Sequence, residues 1–211
     1  MTVIPHNFTR TAERARIRAF NPLHAVHREA AVEETFRWAV EAINDGRAPE
    51  VVERLKNHPE RSSFALIEQL YGNALKYVGR FDEAEEVLQH ALAMRRAEMA
   101  QEPSHRSRQA VASTLGVLGE VAFCRRDISE SEHRFAEAIA VAPWFWIPHL
   151  ARLCLASTTR DTGYCNRVID DLVRDIPGFL DDPAIIRCLA EDGQLHFVRT
   201  HSALWARLSV S

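Results

Sequence analysis

The chain has 211 residues, 46% of them hydrophobic, which suits one well-cored domain or one short solenoid better than two domains. Its charged fraction is 26% and its formal net charge −3, so no overall charge drives it toward nucleic acid or a membrane surface. No apolar run reaches the roughly 18 residues needed to cross a bilayer, and the first 20 residues lack the apolar core of a secretory signal.

The chain begins with a basic arm, residues 1–22, in which Arg10, Arg14, Arg16 and Arg18 face a single Glu13. A single helical domain is expected over 23–211. Helices are predicted at 24–45, 48–58, 61–78, 81–100, 105–125, 128–141, 146–158, 162–175, 183–191 and 194–208. No stretch alternates apolar and polar residues long enough to be a strand, so the chain reads as all-α.

A short polar break joins the two helices of each pair and carries its turn residue: Gly46, Gly79, Arg126, Arg160 and Gly193. The spacings are 33, 47, 34 and 33 residues, regular apart from one insertion of about a dozen residues. Seven before each turn stand Ala39, Gly72, Gly119, Leu153 and Ile186, of which the first three are small. Five after come Val51, Ala84, Ser131, Cys165 and Val198; nine after come Leu55, Leu88, Phe135, Ile169 and Ser202, mostly bulky. Small residues on both helices of a hairpin let two backbones approach, and a bulky residue one turn on fills the gap beside them. The apolar face left over is one only the next hairpin can cover, so such units stack. Leu153 and Ile186 break the pattern and are expected to push helices apart, ending the stack irregularly after Thr159.

In these features the sequence resembles the tetratricopeptide repeat family. Gly72, Leu75, Gly79, Phe81, Ala84, Leu88 and Ala91 fit its 34-residue pattern, as do Leu115, Leu118, Gly119, Phe135, Ala138 and Pro143. The likeness is strongest over residues 65–143 and weaker over 30–208. It implies a right-handed α-solenoid of about five antiparallel helix pairs, the last pair a cap, with a concave groove lined by the first helix of each pair. Carried onto this chain, the groove positions are Phe36, Val40, Asn73, Lys76, Tyr77, Glu120, Phe123 and Cys154, with Ile43, Asn44, Cys124, Ser157 and Thr158 beside them. Some family members grip a C-terminal carboxylate with lysines and asparagines, and Asn73 and Lys76 resemble that clamp. Gln69 stands where the clamp would want a lysine, and Glu120 would repel a carboxylate. An apolar helix or extended peptide suits Phe36, Val40, Tyr77 and Phe123 better.

A second contact surface is offered by "APWFWIPHL", Ala142 to Leu150. Trp144, Phe145 and Trp146 cannot all point inward from one helix start, so at least one is expected exposed or buried against a partner. The plainer reading is a hydrophobic staple between two repeats. The arm's arginines would suit phosphates or an acidic protein face, but they lack the interleaved aromatics of a nucleic-acid binder, so nucleic acid is disfavoured.

Catalysis has little to stand on. His24 and His27 are three apart and share a helix face, yet nothing nominates further metal ligands, and Cys188, His196 and His201 lack metal-site spacing. There is no phosphate-cradling glycine loop, nucleophile elbow or HExxH. No catalytic residue, metal or cofactor is assigned. The four cysteines show no paired spacing, which fits reduced thiols in a cytoplasm. Only Lys56 and Lys76 of 26 basic residues are lysine, a bias typical of GC-rich bacterial genomes.

The resulting expectation is a non-catalytic, cytoplasmic interaction scaffold or adaptor that binds a peptide or partner protein in its groove, with no membrane contact and with homo-oligomerisation left open. Two other readings stay open: a peptide- or ligand-sensing regulator whose N-terminal arm is the output, and a helical metal-dependent enzyme.

Overall fold

The computed structural model describes residues 22–179, 183–191 and 193–201 of the chain. Ten α-helices occupy them. The first pairs are α1 (Pro22–Asn44) with α2 (Ala48–Lys56), α3 (Ala65–Tyr77) with α4 (Phe81–Gln101), and α5 (His105–Cys124) with α6 (Ile128–Val141). Next come α7 (Trp146–Thr159) with α8 (Thr162–Asp175), then α9 (Pro183–Glu191), a 3-10 turn at Gly193–Leu195, and α10 (His196–His201). No strand occurs among the described residues. From α1 to α8 each helix packs on the next, and the odd-numbered helices also pack on one another, α1 on α3, α3 on α5 and α5 on α7. Neighbour and next-but-one contacts of this kind make a helical solenoid.

The turns repeat at the level of the backbone. Gly46, Gly79, Arg126 and Arg160, four of the five positions matched by spacing, adopt positive φ, at 76, 78, 64 and 55°, whereas the fifth, Gly193, opens a 3-10 turn. After α1, Gly46 N–H donates to the Ile43 carbonyl and Arg47 N–H to that of Ala42. The same two bonds recur as Gly79 to Lys76 with Arg80 to Leu75, and as Arg126 to Phe123 with Asp127 to Ala122. This is the Schellman cap, which satisfies the last carbonyls of a helix and needs one left-handed residue. After α7 only Arg160 N–H to Ser157 oxygen, at 3.4 Å, belongs to it. The helix starts are capped too. Ser104 and Ser107 form a reciprocal capping box at α5, and Asp127 and Asp161 each accept a backbone N–H at the starts of α6 and α8.

Crowded backbones hold the hairpins together. A β-carbon built on Gly72 would lie 2.6 Å from Leu88 Cγ, and one on Gly119 2.5 Å from Phe135 Cε1. These pair the position seven before each turn with the position nine after it. Ser131, fully buried on α6, donates its hydroxyl to the Gly119 carbonyl at 2.9 Å, tying the two backbones where they come closest. Leu153 occupies the corresponding place on α7, and α7 and α8 pack less closely than the two hairpins before them.

The buried residues fall into two clusters. One runs from Val32 on α1 to Phe145; the other gathers Leu153, Ala156, Cys165, Ile169 and Leu172 with Phe179, Leu189, Leu195 and Val198. Two boundaries differ from expectation. The helix predicted from residue 61 starts at Ala65, because residues 58–64 form successive hydrogen-bonded turns. Arg61 anchors that stretch: it donates to buried Glu68 at 2.7 Å and to the Lys56 carbonyl at 2.6 Å, and stacks on Tyr71 at 4.1 Å. The expected last helix, 194–208, begins as the 3-10 turn and continues as α10, both against α7; residues 202–208 lie outside the described residues.

Candidate interaction cleft

Four helices surround a cleft of about 1120 Å³. From α1 it takes Glu29, Val32, Glu33 and Phe36, and from α5 Arg106, Gln109, Ala110 and Ser113. Both sets have the spacing i, i+3, i+4, i+7, a single stripe on each helix. The last turns of α4 supply Arg95 and Glu98, with Glu102 just after it, and α3 supplies Leu66 and Gln69, with Phe64 just before it and Phe145 closing one side. The long 47-residue interval explains the site. It makes α4 and α5 21 and 20 residues long, and their added turns form a wall beside the odd-numbered helices.

The floor is sealed where α3 meets α5. Gln69 Nε2 donates to Ser113 Oγ at 2.9 Å, and its Oε1 accepts from Thr114 Oγ1 at 2.9 Å. Further along the same seam, Lys76 is buried and ion-paired with Glu120. At the rim Arg95 pairs with Glu98 at 2.9 Å, while its Nε is buried with no hydrogen-bond partner. Glu29, Glu33 and Glu102 are exposed, and among the described residues no ion pair engages them. The lining thus combines three phenylalanine rings, Phe36, Phe64 and Phe145, with four carboxylates and two guanidinium groups.

Of the sequence-predicted groove residues, the structure brings Phe36 into this cleft. Val40, Asn73, Phe123 and Cys154 are half-buried outside its lining, and Tyr77 is 59% exposed with Lys76 Nζ 4.5 Å from its ring centre. Ile43 and Ser157 are buried; Asn44, Cys124 and Thr158 are exposed. The Lys76 ammonium is already held by Glu120, which removes the cation a carboxylate clamp would need. The residues that reasoning from turns missed are the acidic stripe of α1 and the ends of α4 and α5. Their signal was the insertion itself, together with a polar stripe at helical spacing.

Trp144, Phe145 and Trp146 do not behave as a patch. Trp144 lies on His105, ring centres 4.4 Å apart, and packs on the first cluster, where Phe145 is buried; Trp146 packs on the second. None of the three is fully exposed: Trp144 and Trp146 are half-buried and Phe145 is buried, because the chain changes direction between α6 and α7 and each ring finds a different neighbour.

Among the described residues no group of three or more His, Cys, Asp or Glu could hold a metal ion. His196 and His201 are exposed, His201 stacking on Phe197 at 4.3 Å. The side chains of His24, His27 and Cys188 lie outside the described residues, as does the basic arm up to residue 21. No described helix is long and apolar enough to cross a membrane.

A model of the tetratricopeptide repeat family matches residues 72–105, the second half of α3 through α4 to the first residue of α5. No curated protein and no solved structure matches the chain.

Proposed function

We propose, taking residues 72–105 as a tetratricopeptide repeat within a helical solenoid, that the protein is a non-catalytic interaction scaffold whose cleft binds a segment of a partner protein. Repeats of this family generally mediate protein–protein interactions. The observation that carries the reading is the cleft between α1, α3, α4 and α5, whose lining holds both phenylalanine rings and charged groups. Apolar anchors surrounded by polar groups that set orientation suit an extended or helical peptide. An adaptor in a reducing cytoplasm is consistent with the described cysteines, Cys124, Cys154 and Cys165, all free thiols.

The test uses the full chain, immobilised and exposed to extract of its host. Phe36→Asp and Gln109→Arg each place a charge in the cleft, while Tyr77→Asp changes an exposed residue outside its lining. The expected outcome is a partner recovered by wild type and the Tyr77 variant and lost, at least tenfold, with either cleft variant, a change of about 1.4 kcal/mol. Undiminished recovery by both cleft variants, with unchanged circular dichroism, would reject the cleft as the binding surface.

A further inference from the structure

We infer that the cleft takes a basic, amphipathic segment of its partner, with two lysine or arginine side chains turned toward α1 and apolar residues beside them. This rests on reading the cleft as the binding surface and names the chemistry of what binds there. The distribution of charge carries it. The lining holds four carboxylates and two guanidinium groups, and the two signs are unevenly spread. Arg95, Glu98, Glu102 and Arg106 all lie between the end of α4 and the start of α5, two of each sign, so that side balances. Arg95 and Glu98 are also paired with each other. The surplus is Glu29 and Glu33, both on α1, and α3 packs between α1 and α5. The α1 part of the lining holds no cation to answer them. Arg28, adjacent to Glu29 in the chain, is held by Glu60 and lies over the ring of Phe64. Like charges four residues apart on a helix repel one another, and a basic segment laid along α1 removes that repulsion while an acidic one adds to it.

The spacing sets what the partner must present. Glu29 and Glu33 are separated by about 6 Å along the helix axis, at 1.5 Å per residue. Side chains four apart on a helix match that distance, and alternate residues of an extended strand, about 6.6 Å apart, nearly match it. In either form the two cations share one edge of the segment. Phe36 continues the α1 stripe, and with Phe64 and Leu66 it is half-buried, so apolar surface stays open to the cleft beside the carboxylates. Residues flanking the two cations are therefore apolar, since burying them there is what adds affinity to the charge match.

The probe is a random 12-residue peptide library displayed on phage and panned on the immobilised full chain, with enriched peptides then titrated by fluorescence anisotropy. Wild type is expected to enrich peptides with two lysines or arginines two or four residues apart and an apolar neighbour. Glu29→Lys with Glu33→Lys is expected to weaken the best of these at least about tenfold and, when panned itself, to enrich acidic peptides. Glu34→Lys with Glu41→Lys makes the same change of net charge at exposed α1 residues outside the lining, and is expected to change affinity less than about threefold, the size of a screened, distant effect. Enriched peptides without a basic pair, equal weakening by the two lysine pairs, basic peptides still selected by the Glu29 and Glu33 variant, or no enrichment at all would each overturn the inference. Phe36→Asp separates its failure from that of the cleft. Uncharged or acidic peptides lost with Phe36→Asp would leave the cleft a binding site of other chemistry, whereas peptides that survive that change bind elsewhere and would overturn both readings.

Discussion

Gly116 and Gly119 stand one turn apart on α5, yet a methyl group at each would meet different surroundings. At Gly119 it would lie 2.5 Å from the buried ring of Phe135; at Gly116 no heavy atom lies within 4 Å. Alanine in a helix interior is worth about 0.5–1 kcal/mol over glycine, whereas overpacking a filled core costs about 1–3 kcal/mol. Gly116→Ala should therefore raise stability by about 0.5–1 kcal/mol, and Gly119→Ala should lower it by about 1 kcal/mol or more. Urea melts of both variants check this, and shifts of the same sign would mean that α5 and α6 do not cross where Ser131 reaches the Gly119 carbonyl. The turn arginines show the converse. A left-handed backbone costs a non-glycine residue roughly 1–2 kcal/mol, and Arg126 and Arg160 bear it where the earlier units use glycine. At Arg126 the two cap hydrogen bonds offset that cost, while at Arg160 one weak bond does so.

His149 governs how α7 as an element responds to acid. It is fully buried, its Nε2–H donates to the Pro143 carbonyl at 3.0 Å, and its Nδ1 has no hydrogen-bond partner. Burial holds its pKa below the ordinary value of about 6.5, against the smaller opposite pull of the Pro143 hydrogen bond and of Asp175 and Asp171. Below pH 6.5 the unfolded chain takes up a proton that the folded chain refuses. The neutral ring's contribution is therefore intact above that value and lost as pH falls from it toward the folded-state pKa. Unfolding free energy should fall between pH 7.5 and 5.5, and His149→Asn should flatten that fall. A small residual slope is expected from His58, also lowered chiefly by burial. An equal slope in the variant would place the titration elsewhere. The elements themselves were largely legible in the sequence, since glycine and arginine at matched spacing marked the turns and small residues marked the crossings. The start of α3 was not, because Arg61 looked helical but its guanidinium is committed to Glu68 and to the end of α2. The cleft was only partly legible. Counting back from the turns reaches Phe36, but the wall built by the far ends of α4 and α5 depends on how the insertion folds, which no spacing rule supplies.

Over the whole molecule the two clusters of buried residues meet at the joint between α6 and α7. There Arg152 pairs with Glu132 of α6 and Asp171 of α8, at 2.7 and 2.8 Å, and the Tyr164 hydroxyl donates to Glu132. Helix pairs that touch only their neighbours open in parts. The second cluster, with looser pairing of α7 and α8, should open first. Native-state hydrogen exchange should give amides around Val168 an opening free energy at least 1–2 kcal/mol below those around Leu115, a tenfold or greater difference in protection. Identical values would show one cooperative unit. The unequal length of the α4–α5 hairpin has a consequence for assembly. A tower of equal storeys can settle one storey out of place, a known hazard of repetitive chains. Here Gln69 finds Ser113 and Thr114, and Lys76 finds Glu120, across offsets of 44 or 45 residues. The other turn-to-turn intervals are 33 or 34. The irregular step works as an index mark, since an alignment displaced by one storey would forfeit both cross-links at once.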